Sequence, residues 1–256
     1  LPVRKVPVVL EALTGVTVTQ GAITQDAMRR VQDVVGDVYE QLRAAIPAQP
    51  VVHTDDTGWR IGGTPAYLMA FETEKATVYQ IRSQHRHEEV QEVIPPDYGG
   101  VMVTDRGRSY EAQAFDGVKQ QKCLAHILRS IGVVLQHKKG RARDFGERLK
   151  ALLQDAIQQW RVYHAGAVGD FHAEAQRLQD ALTHHLRNRC LTDPDNQRLL
   201  NQIGRHHDRG NVLRFLEDPR IEPTNNRAER VLRPAVIARK VSQCSKNTPG
   251  AQAFAA

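Results

Sequence analysis

A chain of 256 residues, 41% hydrophobic and 25% charged, holds enough apolar material for a full core and has the make-up of an ordinary globular protein. Its apolar runs are only a few residues long, which excludes a helical membrane span, and no signal peptide opens it. The net charge of +6 suits a polyanionic partner or a merely basic soluble protein, while three widely spaced cysteines argue against a disulfide framework and for a reducing cytoplasm. The missing initiator Met points to a fragment or a trimmed chain.

Taken in order, residues 4 to 13 and 23 to 46 read as helices. Ala27, Val31, Val34, Val38 and Leu42 recur at three- and four-residue steps and form one apolar stripe. Gly15 and the Thr-Gln-Gly cluster at 19 to 21 separate the two, so the pair is a packed hairpin or a helix-turn-helix that reads DNA. Pro47 and Pro50 end this lead-in.

The pattern then changes to strands at Val51–Thr54, Tyr67–Phe71 and Thr77–Ile81, with Gly62-Gly63 as a turn. The first strand feeds V-V-H-T-D-D-T-G-W and is expected to stop before Gly58, delivering a carboxylate at its C-terminal edge. Alternation along a strand means that Asp55 and Asp56 cannot both aim at one site. Residues 85 to 94 read as a helix closed by Pro95-Pro96. Strand Val101–Thr104 follows and ends in Asp105, then come a helical turn around Ser109–Phe115, a short strand near 119 to 124 and a helix from Ala125. This succession predicts an α/β architecture with a mixed sheet.

From about 138 to 217 strand signals vanish. Leu149, Leu152, Leu153, Ile157 and Trp160 form one stripe, Phe171, Leu178, Leu182 and Leu186 a second, and Leu199, Leu200, Ile203, Val212, Phe215 and Leu216 a third. The segment reads as an all-helical insertion. Lys138, Lys139, Arg141 and Arg143 at its entrance are a solvated surface or a phosphate-contacting edge.

A third acid, Glu229, lies in P-T-N-N-R-A-E-R-V-L-R-P, which reads as a helix start. Hard divalent cations favour several carboxylate oxygens from separate elements, so Asp55, Asp105 and Glu229 are a plausible metal-binding set. Glu229 could instead close a capping box with Asn226. Arg227, Arg230 and Arg233 step by three beside it, and Arg239-Lys240 follow; they are a basic surface or charge balance. Cys123 and His126 form a C-x-x-H pair without a second pair to complete a zinc site. His184-His185 and His206-His207 read as surface groups. Trp59 is core or a base-stacking platform.

Four blocks, H-T-D-D-T-G-W-R, G-V-M-V-T-D-R-G-R-S-Y, K-Q-Q-K-C-L-A-H-I-L-R-S and P-T-N-N-R-A-E-R-V-L-R-P-A-V-I-A-R-K, resemble in order the bacterial transposases of the insertion sequence 66 family. The resemblance implies a ribonuclease H-like core with a D-D-E triad mapping onto Asp55, Asp105 and Glu229. It implies Mg²⁺, with Mn²⁺ as a substitute, and phosphoryl transfer that cleaves the element end and joins it to target DNA. It also implies double-stranded DNA as partner, a homo-oligomer on DNA, and a cytoplasmic, nucleoid-associated protein. Arg227, Arg230, Arg233, Arg239 and Lys240 are then expected to hold DNA. The expected organisation is a helical lead-in at 1–48, a first core part at 49–136, the insertion at 137–217 and a last core part at 218–256. Full-length relatives carry a further N-terminal DNA-binding region, and Arg106-Gly107 departs from the expected pattern. The alternatives are a metal-dependent nuclease of the same fold and a catalytically silent DNA-binding fragment.

Overall fold

The computed structural model describes residues 3–166, 170–187 and 189–256. Its regular elements, in chain order, are helices α1 (Val6–Thr14), α2 (Gln20–Arg30) and α3 (Gly36–Ala45), strands β1 (Val51–Ile61), β2 (Thr64–Glu72) and β3 (Thr77–Arg82), helix α4 (His87–Gln91) and strand β4 (Val101–Thr104). Then come β5 (Lys119–Lys122), α5 (Leu124–Leu135), α6 (Arg141–His164), α7 (Phe171–Leu186), α8 (Pro194–Asp208), α9 (Asn226–Ser242) and α10 (Thr248–Ala255). The chain is α/β and divides into two compact units, residues 1–96 with 226–256, and residues 97–225.

In the first unit the predicted separators act as caps. Gly15 takes the left-handed conformation (φ 70°) that ends α1, and its N–H donates to the Glu11 carbonyl. The Thr19 hydroxyl accepts the Ala22 N–H and starts α2. A π-turn over Val31–Val35 joins α2 to α3, and a 3₁₀ turn carrying Pro47 ends the lead-in. The three strands form an antiparallel meander, β3-β2-β1. α9 packs on β1 and β2, and α10 on β3. The core between them joins Trp59, Ala66, Leu68, Ala70 and Ile81 to Leu232, Ala235, Ala251 and Ala255. Tyr39 donates its hydroxyl proton to the Tyr79 carbonyl, tying α3 to β3.

The first strand corrects the sequence expectation. β1 does not stop before Gly58 but runs through both acids to Ile61, where Gly62 at φ 62° makes the two-residue turn into β2. The reason is tertiary: β2 lies alongside in continuous register, pairing Asp55 with Ala70, Asp56 with Met69 and Gly58 with Tyr67. Ladder bonds outweigh the poor strand propensity of Asp and Gly. The acids therefore lie mid-strand. Helix α4 is likewise shorter than the expected 85–94, beginning where Glu89 reaches back to the Arg86 N–H.

The second unit holds a parallel ladder, β4 with β5, in the register Val101↔Lys119 to Thr104↔Lys122. Two 3₁₀ turns, Arg108–Glu111 and Gln113–Phe115, lie on the connection. α5 buries Leu124, Ile127, Ile131 and Leu135, one face at helical spacing. The insertion is helical as expected, and the predicted stripes form its core through Leu149, Leu152, Leu153, Leu178, Leu182, Leu199, Leu200 and Ile203. Asp170 and Asp193 cap α7 and α8. At the entrance Lys138 bonds Asp193 and Asp195, and Arg143 bonds Glu147.

The histidine doublets also differ from expectation. His185, His206 and His207 are buried, and only His184 faces outward. His185 stacks on the Phe145 ring and bonds the Phe145 carbonyl, while His207 Nε2 lies 2.7 Å from the Thr183 hydroxyl. Polar partners inside the helical bundle make this burial affordable.

Candidate functional site

The two adjacent acids of β1 stand on opposite faces. Directly opposed residues of an antiparallel pair share a face, so Asp55, Thr57 and Trp59 lie with Ala70, Leu68 and Ala66. That is the α9 side of the sheet, because Leu232 and Ala235 close the core there and Arg239 reaches Thr57. Asp55 therefore stands on the face that α9 covers, and Glu229 lies in the first turn of α9. Asp56 stands on the other face, with His85 Nδ1 3.1 Å from its Oδ1. The Asp55 carboxylate also accepts the Asp56 N–H at 2.9 Å.

α9 begins at Asn226 and carries Glu229 in its first turn. The basic residues of α9 have separate roles. Arg227 bonds the Glu72 carboxylate at 3.2 Å and the Thr73 carbonyl at 3.1 Å, so it fastens α9 to the end of β2. Arg230, Arg233 and Lys240 are exposed. Arg239 donates from Nη1 to the Thr57 hydroxyl and to the Gly58 carbonyl. Trp59 is 4% exposed, its indole N–H on the Ser245 hydroxyl and its ring against Phe254, which makes it core.

In the second unit Asp105 follows β4 directly. Its Oδ1 accepts the Gly107 N–H at 2.7 Å, a local turn that fixes the carboxylate. A Cβ at position 107 would sit 2.9 Å from that oxygen and 3.3 Å from the Tyr110 ring, so a larger residue there makes the carboxylate shift. Lys122 donates from Nζ to the Thr104 hydroxyl at 3.0 Å, and that hydroxyl donates to the Asp105 carbonyl at 2.8 Å. Lys122 is 1% exposed; burial pulls its pKa down to about 8, against the opposing pull of Glu111 and Asp105. Arg106 bonds Gln202 of α8 at 2.7 Å and, on α5, the Ser130 hydroxyl at 2.5 Å and the His126 carbonyl at 3.3 Å. Burial lowers its pKa as well. His206 Nε2 lies 3.2 Å from Glu111, yet burial, with Lys122, Arg205 and Arg106 nearby, holds its pKa at about 4. Its ring is neutral at pH 7, and the contact is not an ion pair.

Reading by motif missed Thr104, Lys122 and Arg106 as supports of Asp105. Lys122 carried no local signal, because lysine is almost never fully buried and only the placement of Thr104 beside it reveals the burial. Cys123 and His126 do come together, their ligand atoms within 4.8 Å. The Cys123 sulfur also accepts the Asn225 N–H.

The three acids Asp55, Asp105 and Glu229 are each half-buried. They offer only hard carboxylate oxygens, a donor chemistry that fits Mg²⁺ or Mn²⁺. Among the described residues no helix is long and apolar enough to cross a membrane. No curated protein matches the chain. The model of the Transposase IS66 family matches residues 1–253, and the chain belongs to that family.

Proposed function

We propose that this member of the Transposase IS66 family is the catalytic part of a D-D-E transposase, cleaving DNA at element ends and joining the freed 3′-hydroxyl to target DNA. The observation that carries the reading is the sidedness of β1. Of its two acids, Asp55 stands on the face that α9 covers, and α9 carries Glu229 in its first turn. Asp105, held by its own turn and by the Lys122–Thr104 relay, is the third ligand in this reading. A ribonuclease H-like core is part of the proposal, supported by an antiparallel meander and a parallel ladder with packed helices.

In this mechanism Asp55, Asp105 and Glu229 would hold Mg²⁺, with Mn²⁺ as a substitute. The ions, when bound, would polarise the scissile phosphate and lower the pKa of an attacking water or hydroxyl. The protein's own part is positional. The Gly107 N–H and the Lys122–Thr104 chain keep the Asp105 carboxylate and backbone from swinging. Arg230, Arg233, Arg239 and Lys240 neutralise DNA phosphates and fix register without reading sequence. Arg227, already committed to Glu72, secures α9 instead. The enzyme acts as a homo-oligomer on double-stranded element ends.

The test is Mg²⁺- or Mn²⁺-dependent cleavage of duplexes carrying candidate element ends. Asp55→Asn, Asp105→Asn and Glu229→Gln are each expected to lose at least about 100-fold in rate with the fold kept, as ligand loss does. Full activity in any of them, or unchanged cutting in Asp55→Asn with loss in Asp56→Asn, would sink the assignment. Joining of the cut end to a second duplex separates transposase from nuclease, and salt-dependent binding without cutting would indicate the silent DNA-binding fragment.

A further inference from the structure

We propose that the first unit carries a subsite for one unpaired nucleotide of DNA, separate from the carboxylates, in a cleft of about 830 Å³ at the β1–β2 hairpin. The cleft is lined by Gly58, Arg60, Tyr67, Arg239, Gln243 and Lys246, among others, and among the described residues no acid lines it. The ladder register explains why space exists there. Gly58 opposes Tyr67 and Arg60 opposes Pro65, so these four share one face of the hairpin, and Arg239 of α9 comes round to them at Gly58, where a Cβ would lie 3.7 Å from its Nη1. Gly58 adds no side chain to that flank, and Tyr67, its ring centroid 5.8 Å from that of His85, remains 36% exposed.

The far wall is built rather than draped. Gly62 donates its N–H to the Ser245 carbonyl at 2.8 Å, Ile61 pairs with Ser245 as a parallel bridge, and the Trp59 indole bonds the Ser245 hydroxyl. Gln243 on this wall has φ 63°, the one non-glycine residue at positive φ among the described residues. Strained backbone of this kind persists where surrounding contacts fix it and tends to mark binding sites. Among the described residues Arg239 makes both of its bonds through Nη1, and the Nε and Nη2 edge of the guanidinium is offered to a ligand.

The chemistry fits a nucleotide. The volume is that of a small-molecule site, an arginine edge suits a phosphodiester, and a tyrosine face suits a base without regard to sequence. In a duplex the bases are stacked and paired, so the ligand is a frayed or single-stranded stretch. The inference rests on the DNA substrate of the family and not on the carboxylate triad.

The experiment is fluorescence anisotropy in EDTA at fixed salt, comparing a blunt duplex with the same duplex bearing a single-stranded overhang that contains 2-aminopurine. The overhang is expected to bind about tenfold more tightly, with quenching of the 2-aminopurine as it stacks. Tyr67→Leu should erase the preference and the quenching while leaving blunt-duplex affinity unchanged, and Tyr67→Phe should restore both. The double variant Arg60→Ala with Lys246→Ala should weaken overhang binding and flatten its salt dependence. Equal affinity for the two duplexes, or a preference that survives Tyr67→Leu, overturns the proposal. Asp105→Asn must keep the preference, so a failed cleavage assay and a failed subsite give different results.

Discussion

Replacing Lys122 by Met is expected to make the protein more stable and the reaction slower. The ammonium is buried at the end of β5 and bonded to the Thr104 hydroxyl, and its pKa falls from 10.5 to about 8. A shift of that size corresponds to a cost of about 3 kcal/mol for keeping the charge inside at pH 7. The lost bond to Thr104 returns about 1 to 2 kcal/mol of that, and Met matches the lysine stem in volume, so the net gain is about 1 to 2 kcal/mol. The sign with pH follows from proton counting. Between pH 8 and 10.5 the unfolded chain holds the Lys122 proton and the folded chain has released it, so wild-type stability rises with pH across that window. Denaturant unfolding of both proteins at pH 7 and pH 9.5 measures this directly. The advantage of Lys122→Met should shrink by about 2 kcal/mol at the higher pH, because the wild type has then shed the buried charge. A difference that stays constant between the two pH values would refute the argument. Cleavage should fall, since Thr104 loses the donor that orients it toward the Asp105 backbone.

Two further outcomes follow from the same contacts. Arg227→Ala should cost about 1 to 3 kcal/mol in thermal or denaturant unfolding and leave the salt slope of DNA binding alone. Arg230→Ala and Arg233→Ala should be neutral for stability, each lowering the salt slope by about 1 in a titration of affinity against salt. Gly107→Ala should push the Asp105 carboxylate out of its turn, costing about 1 to 3 kcal/mol and most of the cleavage activity. A fully active Gly107→Ala protein would show that the turn does not set the carboxylate.

Much of this architecture is legible from local pattern alone. Strand Val101–Thr104 and the helical stripes of the insertion emerge with the expected residues, because a continuous apolar run and a three-and-four spacing are set by neighbours in sequence. What escapes is decided by residues far away. The stretch Asp55 to Gly58 reads as a strand end, since nothing nearby shows that β2 will supply a ladder through Met69, Leu68 and Tyr67. His185 and His207 look like surface groups until Phe145 and Thr183 provide partners from other helices. Which acid of the Asp55–Asp56 doublet faces α9 also depends on the placement of a helix about 170 residues downstream.

The anchoring of Arg106 gives the helical insertion a history of its own. An insertion that merely looped out between two strands could be trimmed, swapped or lost without consequence to its neighbours. Here the residue next to Asp105 is bolted to Gln202 on α8 and to Ser130 on α5. Any drift of α8 along its bundle would pull on that bolt, and losing α8 would strand a half-buried guanidinium. Evolution can therefore decorate the outer faces of the insertion freely, while its inner end remains part of the frame that aims the carboxylate.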